Sequence, residues 1–191
     1  EDIDFNLIKD SQILHIAGSY LMPQFDGEPT AKVLQKAKEY GITTSLDTAW
    51  NSTVKNWQEM IEPCLPHLDI ILPAIEEARM FTGKSKEVDI ADHLLGYGIK
   101  IVGLKMGGKG CYIKSRKEEI YLPAYPVKVI DTSGAGDAFV AGFLTGMIKG
   151  WPLKRIGQFA NATGALCVQH IGCTAGVKTL EETLAFMKKI N

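Results

Sequence analysis

Short apolar runs rich in β-favouring residues alternate along this chain with segments whose apolar side chains recur every three or four positions. Residues 12–17 read as a strand closed by Gly18, and residues 29–40 then place Val33, Leu34, Ala37 and Tyr40 on one helical face, with Gly41 as the stop. Residues 42–47 form the next strand, 69–72 a short one ending at Pro73, and 99–106 a fourth, with helices expected over 75–81 and 90–97. Strand, helix, strand at this spacing is the pattern of βαβ units, and it predicts an α/β fold with a mostly parallel sheet covered on both faces. After Gly107-Gly108-Lys109-Gly110, two short runs at 111–114 and 119–122 predict an antiparallel edge. Helices follow at 138–149, with a wide apolar stripe, and at 153–168, and the capping box Thr179-Leu180-Glu181-Glu182 opens a last one. No internal repeat, low-complexity stretch or linker interrupts this order.

Composition agrees with one core and excludes several partners. The 191 residues are 46% hydrophobic and 23% charged. A chain of this size buries roughly 70% of its unfolded surface, so no disulfide or structural metal is required. The 21 basic and 22 acidic side chains leave a formal net charge of -1, without the basic excess that a nucleic acid partner demands. No window approaches the ~18 consecutive apolar residues of a membrane span, and the start Glu1-Asp2-Ile3-Asp4 lacks both parts of a signal peptide. These features predict a cytoplasmic protein with no membrane partner. The opening on Glu1 rather than methionine suggests that the true start lies elsewhere. Cys64, Cys111, Cys167 and Cys173 form no CxxC pair and read as reduced, buried thiols. The four histidines show no ligand spacing, and Trp50, Trp57 and Trp151 read as core or interface anchors rather than stacking platforms.

In open α/β sheets ligands bind outside the carboxyl ends of the strands. Asp47-Thr48, Glu76-Glu77 and Lys105 to Gly110 follow expected strands, and Asp131 to Asp137 precedes the long helix. The last of these segments is the most informative. Gly134, Ala135 and Gly136 place unobstructed backbone amides at the start of an amphipathic helix, where the macrodipole adds about half a positive charge. This is a pocket for an anion. Asp137 in the first turn would stand beside a phosphate bound there and could take the proton of an attacking hydroxyl. The structural alternative is a tight loop whose acid merely complements the dipole. No GxxxxGK[ST] occurs, and the third glycine of a GxGxxG is Phe139 here.

The run Asp131-Thr132-Ser133-Gly134-Ala135-Gly136-Asp137-Ala138-Phe139, with Gly142 and Phe143 beyond it, resembles the C-terminal signature of the ribokinase-like, or PfkB, carbohydrate kinases. The resemblance extends over nearly the whole chain. Leu46-Asp47-Thr48 is similar to the family's Asp-containing segment, and Leu72-Pro73-Ala74-Ile75-Glu76-Glu77-Ala78 to its acidic, metal-associated motif. Lys105-Met106-Gly107-Gly108-Lys109-Gly110 resembles the nucleotide-contacting turn, and Ala160-Asn161-Ala162-Thr163-Gly164-Ala165 the helix beside the adenine.

The resemblance implies a three-layer ribokinase-like α/β/α fold and ATP-dependent phosphoryl transfer to a sugar or sugar-like alcohol. It implies that Asp137 is the base, that Gly134, Ala135 and Gly136 form the anion hole, and that Lys105, Gly107, Gly110, Asn161 and Ala165 border ATP. Asp47 would join Asp137 in contacting the acceptor, Glu77 would support Mg²⁺, and Asp131 and Thr132 would hold a monovalent cation such as K⁺. Each has a structural alternative: a hairpin turn at Gly107 to Gly110, a dipole-complementing acid at Glu77, a helix-end hydrogen bond at Asn161, and backbone acceptance at Asp47. Two departures stand out. Ala74 occupies the usual Asn of the acidic motif, and nothing matches the family's N-terminal portion with its Gly-Gly sugar contacts and β-lid. The expectation is therefore that residues 1–191 are the C-terminal part of one kinase domain, inactive alone, with strand 12–17 leaving an apolar sheet edge. A homodimer is compatible with the complete protein. Alternatives are a nucleoside kinase of the same fold and a non-catalytic nucleotide-binding fragment.

Overall fold

A computed structural model of the protein describes residues 3–190. Six strands, β1 (Ile13–Ser19), β2 (Thr43–Thr48), β3 (Ile70–Ile71), β4 (Ile101–Lys105), β5 (Cys111–Ser115) and β6 (Glu119–Leu122), are hydrogen-bonded in that order. The first four are parallel: Ile13 pairs with Thr43, Ser45 with Ile70 and Ile70 with Ile101. The tight connections into β5 and β6 supply the expected antiparallel edge. Contacts divide the chain into two compact units, one comprising the chain up to Leu104 with Ile113–Glu119, the other Lys105–Tyr112 with the chain from Ile120 onward.

The first unit holds α1 (Phe5–Lys9), α2 (Glu28–Glu39), α3 (Trp57–Ile61), α4 (Ile75–Thr82) and α5 (Glu87–Gly96). The strands advance in one direction across the sheet. Right-handed crossovers then bring α2 to α5 onto one face, and α3 packs on α4, which packs on α5. Residues 44–48 of β2 are nonetheless all buried, so both faces of that strand are covered, as the sequence predicts. β1 lies at the end of the strand order and is the sheet edge. Ile13, Leu14 and His15 are only half-buried and Ala17 is exposed. Ile8, Val33 and Ala37 form a cluster with Leu14, Phe25 and Tyr40, which uses the helical face of α2 read from its spacing. Helices α1 and α3 were not expected; at five residues each they are too short for a 3.6-residue period to register.

A buried carboxylate ties three crossovers of this unit together. Asp69, just before β3, accepts from the Thr44 amide at 3.0 Å and the Thr44 hydroxyl at 3.1 Å. Lys38 of α2 and Lys100 before β4 pair with it at 2.9 and 3.0 Å. Burial pushes this carboxyl up, but the Thr44 amide and the two ammonium groups outweigh it and hold the group at about 2.

In the second unit, α6 (Ala135–Ile148) and α7 (Leu153–Cys167) pack along their lengths, and α8 (Leu180–Ile190) closes on α7 through Phe159, Ala162 and Met187. The capping box of α8 is formed as expected: Thr179 and Glu182 exchange hydrogen bonds of 3.0 and 3.2 Å. Helix α6 begins at Ala135 rather than 138, so Ala135-Gly136-Asp137 form its first turn.

Candidate functional site

The loop that opens α6 is fixed at both ends by one carboxylate. Asp131 accepts from the Ser133 amide at 2.9 Å through Oδ1 and from the Gly172 amide at 2.8 Å through Oδ2. The Gly172 and Ser133 amides hold this carboxyl below the usual range. Gly134 follows with φ +74° and caps α6. A β-carbon on it would collide with the Cys173 carbonyl and lie 2.7 Å from the Cys173 Cα, so no other residue fits. No side chain caps this helix end. The Ala135 amide, expected in the anion hole with those of Gly134 and Gly136, donates instead to the Thr132 carbonyl at 3.2 Å, and the Ala138 amide bonds back to Gly134 at 2.8 Å; the amides of Gly136 and Asp137 are the donors such a helix start offers to an anion. Asp137 is exposed in the same turn. The Lys105 ammonium lies 3.5 Å from where a β-carbon of residue 136 would be, which brings a cation to the same helix start.

Beyond Lys105 the chain turns sharply. The Met106 amide donates to the Gly110 carbonyl at 2.8 Å and the Gly110 amide to the Gly107 carbonyl at 2.9 Å. Gly110, at φ +96°, is pressed against the Leu122–Ala124 backbone, where a β-carbon would lie 2.6 Å from the Ala124 nitrogen. Asn161 on α7 donates to the carbonyls of Leu122 and Pro123 at 3.3 and 3.1 Å. Residues 122–126, Gln158 and Asn161 line a cavity of about 200 Å³. Gln158 was not singled out from sequence, although its i, i+3 spacing from Asn161 places both on one face of α7. Ala165 is buried one turn further on.

The acids of the first unit are arranged differently. Glu77 is 7% exposed; its Oε2 accepts from the Thr48 hydroxyl at 2.6 Å and from the Ala74 amide at 3.0 Å. Asp47 is buried and accepts from the Thr48 amide at 2.9 Å. Thr48 therefore links Asp47 to Glu77. Among the described residues no group of three or more His, Cys, Asp or Glu could hold a metal ion, and no helix is long and apolar enough to cross a membrane.

The cysteines are free, and Cys64, Cys111 and Cys167 are buried as expected, whereas Cys173 is exposed because it sits in the loop that covers Gly134. Burial pushes the Cys111 thiol up to about 12. Trp57 is a core residue, but Trp50 is exposed.

The sequence profile of the pfkB family carbohydrate kinases matches residues 1–180. The chain belongs to this family. A 5-dehydro-2-deoxygluconokinase of Clostridium perfringens is 29% identical over 200 residues, covering 99% of this chain and 59% of its own. A 2-dehydro-3-deoxygluconokinase of Bacillus subtilis is 38% identical over 184 residues, 91% of this chain and 56% of that one. The Arabidopsis thaliana ribokinase complexed with ribose and ATP superposes with a TM-score of 0.80 at 25% identity, over 98% of this chain and 59% of that one. The chain thus spans less than two thirds of the length of these pfkB relatives. Of the residues put forward from the pfkB resemblance, Asp131, Thr132, Gly134, Ala135, Gly136, Asp137 and Lys105 meet at the start of α6. Gly107 and Gly110 form the turn, Asn161 the wall of the cavity, and Asp47 and Glu77 a separate buried pair joined through Thr48.

Proposed function

We propose that this chain carries the phosphate-binding and proton-accepting groups of an ATP-dependent carbohydrate kinase, which transfers the γ-phosphoryl group to a hydroxyl of a sugar or sugar-like alcohol. The observation that carries this reading is the start of α6, a helix end with no side-chain cap, a glycine that no other residue can replace, an ammonium group beside it and an exposed carboxylate in its first turn. The Gly136 and Asp137 amides and Lys105 hold the charge of the transferring group, where positioning and electrostatics supply most of the rate. Asp137 takes the proton of the acceptor hydroxyl as its oxygen attacks phosphorus and the bond to ADP breaks.

The cavity beside Asn161 suits the nucleotide base, with Gly107 and Gly110 bordering the phosphates and Ala165 behind. Mg²⁺, when bound with ATP, neutralises phosphate charge. Glu77 already serves two protein donors, so it would reach the ion through water, as is usual for a cation that keeps its hydration shell. Asp131 likewise has an amide on each oxygen; a monovalent cation at Asp131 and Thr132 would draw on backbone carbonyls, and no step is assigned to it. Asp47, at the carboxyl end of β2, belongs to the acceptor side.

Two of the relatives are dehydro-deoxygluconokinases, which puts 2-dehydro-3-deoxygluconate and 5-dehydro-2-deoxygluconate first in a substrate panel, ahead of fructose, ribose and nucleosides. ATP·Mg²⁺ at a hundredfold excess over its dissociation constant is expected to stabilise the protein by about 2.7 kcal/mol in a thermal-shift assay. Stabilisation by NAD⁺ and not by ATP·Mg²⁺ would overturn the reading, as would the absence of ATP-dependent phosphate transfer to any member of the panel by the complete protein.

A further inference from the structure

Tyr20 is the one non-glycine among the described residues with a clearly positive φ, +82°, and it is only 2% exposed. A bulky residue in that region is strained by about 1–3 kcal/mol and persists only where its surroundings impose it. Here they do so on every side. The Tyr20 amide donates to Asp26 at 3.0 Å, its carbonyl accepts from the Asn51 amide group at 2.7 Å, and its hydroxyl donates to the Trp57 carbonyl at 2.8 Å. The Tyr20 and Trp57 ring centroids are 4.3 Å apart, and the Trp57 indole N–H is fixed on the Val54 carbonyl at 3.0 Å. The Asn51 oxygen in turn accepts the amide and hydroxyl of Thr53.

The product of this scaffolding is a single indole. Trp50 stands two residues beyond β2, 53% exposed, with its ring centroid 5.2 Å from that of Trp57. A tryptophan serving only the core would be covered as Trp57 is, and a casual surface tryptophan would not need a strained neighbour and a buried aromatic pair behind it. Its ring leans on that of Trp57 at an interplanar angle of 39° and about half of the residue is open, at the carboxyl ends of β1 and β2, where parallel sheets bind their ligands. A flat, rigid aromatic surface matches the C–H face of a carbohydrate and orders few rotors on binding.

We propose that Trp50 is a stacking platform for the carbohydrate acceptor and that Tyr20 is its positioning residue. The nature of the ligand rests on the kinase reading above; the platform itself rests on the geometry of Tyr20, Trp57 and Trp50. The test is tryptophan fluorescence of the purified protein with iodide as quencher, titrated with 2-dehydro-3-deoxygluconate, fructose and ribose. Trp50 dominates the iodide-accessible signal, and at least one of these sugars is expected to cut the quenching slope by half or more. Trp50→Phe weakens sugar binding about threefold and Trp50→Leu tenfold or more, while the constant for ATP moves less than twofold. Tyr20→Phe, which keeps the ring and removes the bond to the Trp57 carbonyl, raises the sugar KM severalfold and leaves kcat in place. A quenching slope unchanged by every sugar, or Trp50→Leu binding sugar as well as Trp50→Phe, overturns the platform. So does a Trp50 already shielded from iodide by a second polypeptide. If sugars protect Trp50 but no phosphate is transferred from ATP, the platform stands and the kinase reading falls.

Discussion

Two helices of this protein carry an acid at the same position, the third residue of the first turn, and place it in opposite surroundings. In α4 the acid is Glu77, buried, reaching back to the Ala74 amide and across to the Thr48 hydroxyl. The chain closes that helix end with its own side chain, as in a capping box. In α6 the acid is Asp137, one methylene shorter and exposed, behind a left-handed glycine with no side-chain cap. That end has no side-chain cap and a lysine beside it, and in the proposed reading it receives an anion from outside. An acid at a helix start is thus uninformative by itself. What separates stabilisation from chemistry is whether the polypeptide has already satisfied the donors around it.

Substitutions should divide along the same line. Asp137→Asn in the complete protein is expected to lower kcat by about a hundredfold to ten-thousandfold while ATP affinity and thermal stability stay close to those of the parent. Turnover within tenfold of the parent would place Asp137 with Glu77 as a merely structural acid. Gly134→Ala forces a β-carbon into the Cys173 backbone at a positive φ and should destabilise the fold by about 3 kcal/mol, read from urea unfolding. Glu77→Ala leaves two donors without their acceptor, at a cost of about 2 kcal/mol, and its effect should appear first in the unfolding midpoint. Were stability untouched and activity lost, Glu77 would belong to the chemistry instead.

Asp69 extends the set of internally satisfied acids. Its carboxyl is held at about 2, below the ordinary value of about 3.9 for an unfolded chain, so its contribution is complete above pH 4 and fades as the pH falls toward 2. That contribution is about 2 kcal/mol. Asp69→Asn should remove that part of the acid dependence, as measured by unfolding at pH 5 and pH 2.5.

The parts of this molecule that repeat were legible in the sequence. The parallel strands, α2 with its Val33–Ala37 face, the hairpin edge and the α8 capping box all declare themselves through period or local chemistry. The helix α6 was legible too, although its start was placed at 138 and lies at Ala135. Helices α1 and α3 were too short to show a period. The partner of Glu77 was not visible because Thr48 lies 29 residues away, and nothing in either segment records the other. Ala74, which lacks the expected amide side chain, gave no hint that its backbone would be bonded by Glu77 instead. Trp50 was read as an anchor from its residue type, since exposure depends on which neighbours arrive from β1 and α3.

Cys173 gives the loop before α6 a practical property. Its backbone forms the wall that only Gly134 can face, yet its own thiol is the exposed one of four, the others being buried. A single maleimide dye would therefore attach at one known place, against the loop that opens α6. The chain carries its own labelling handle for testing in real time whether nucleotide reaches that loop.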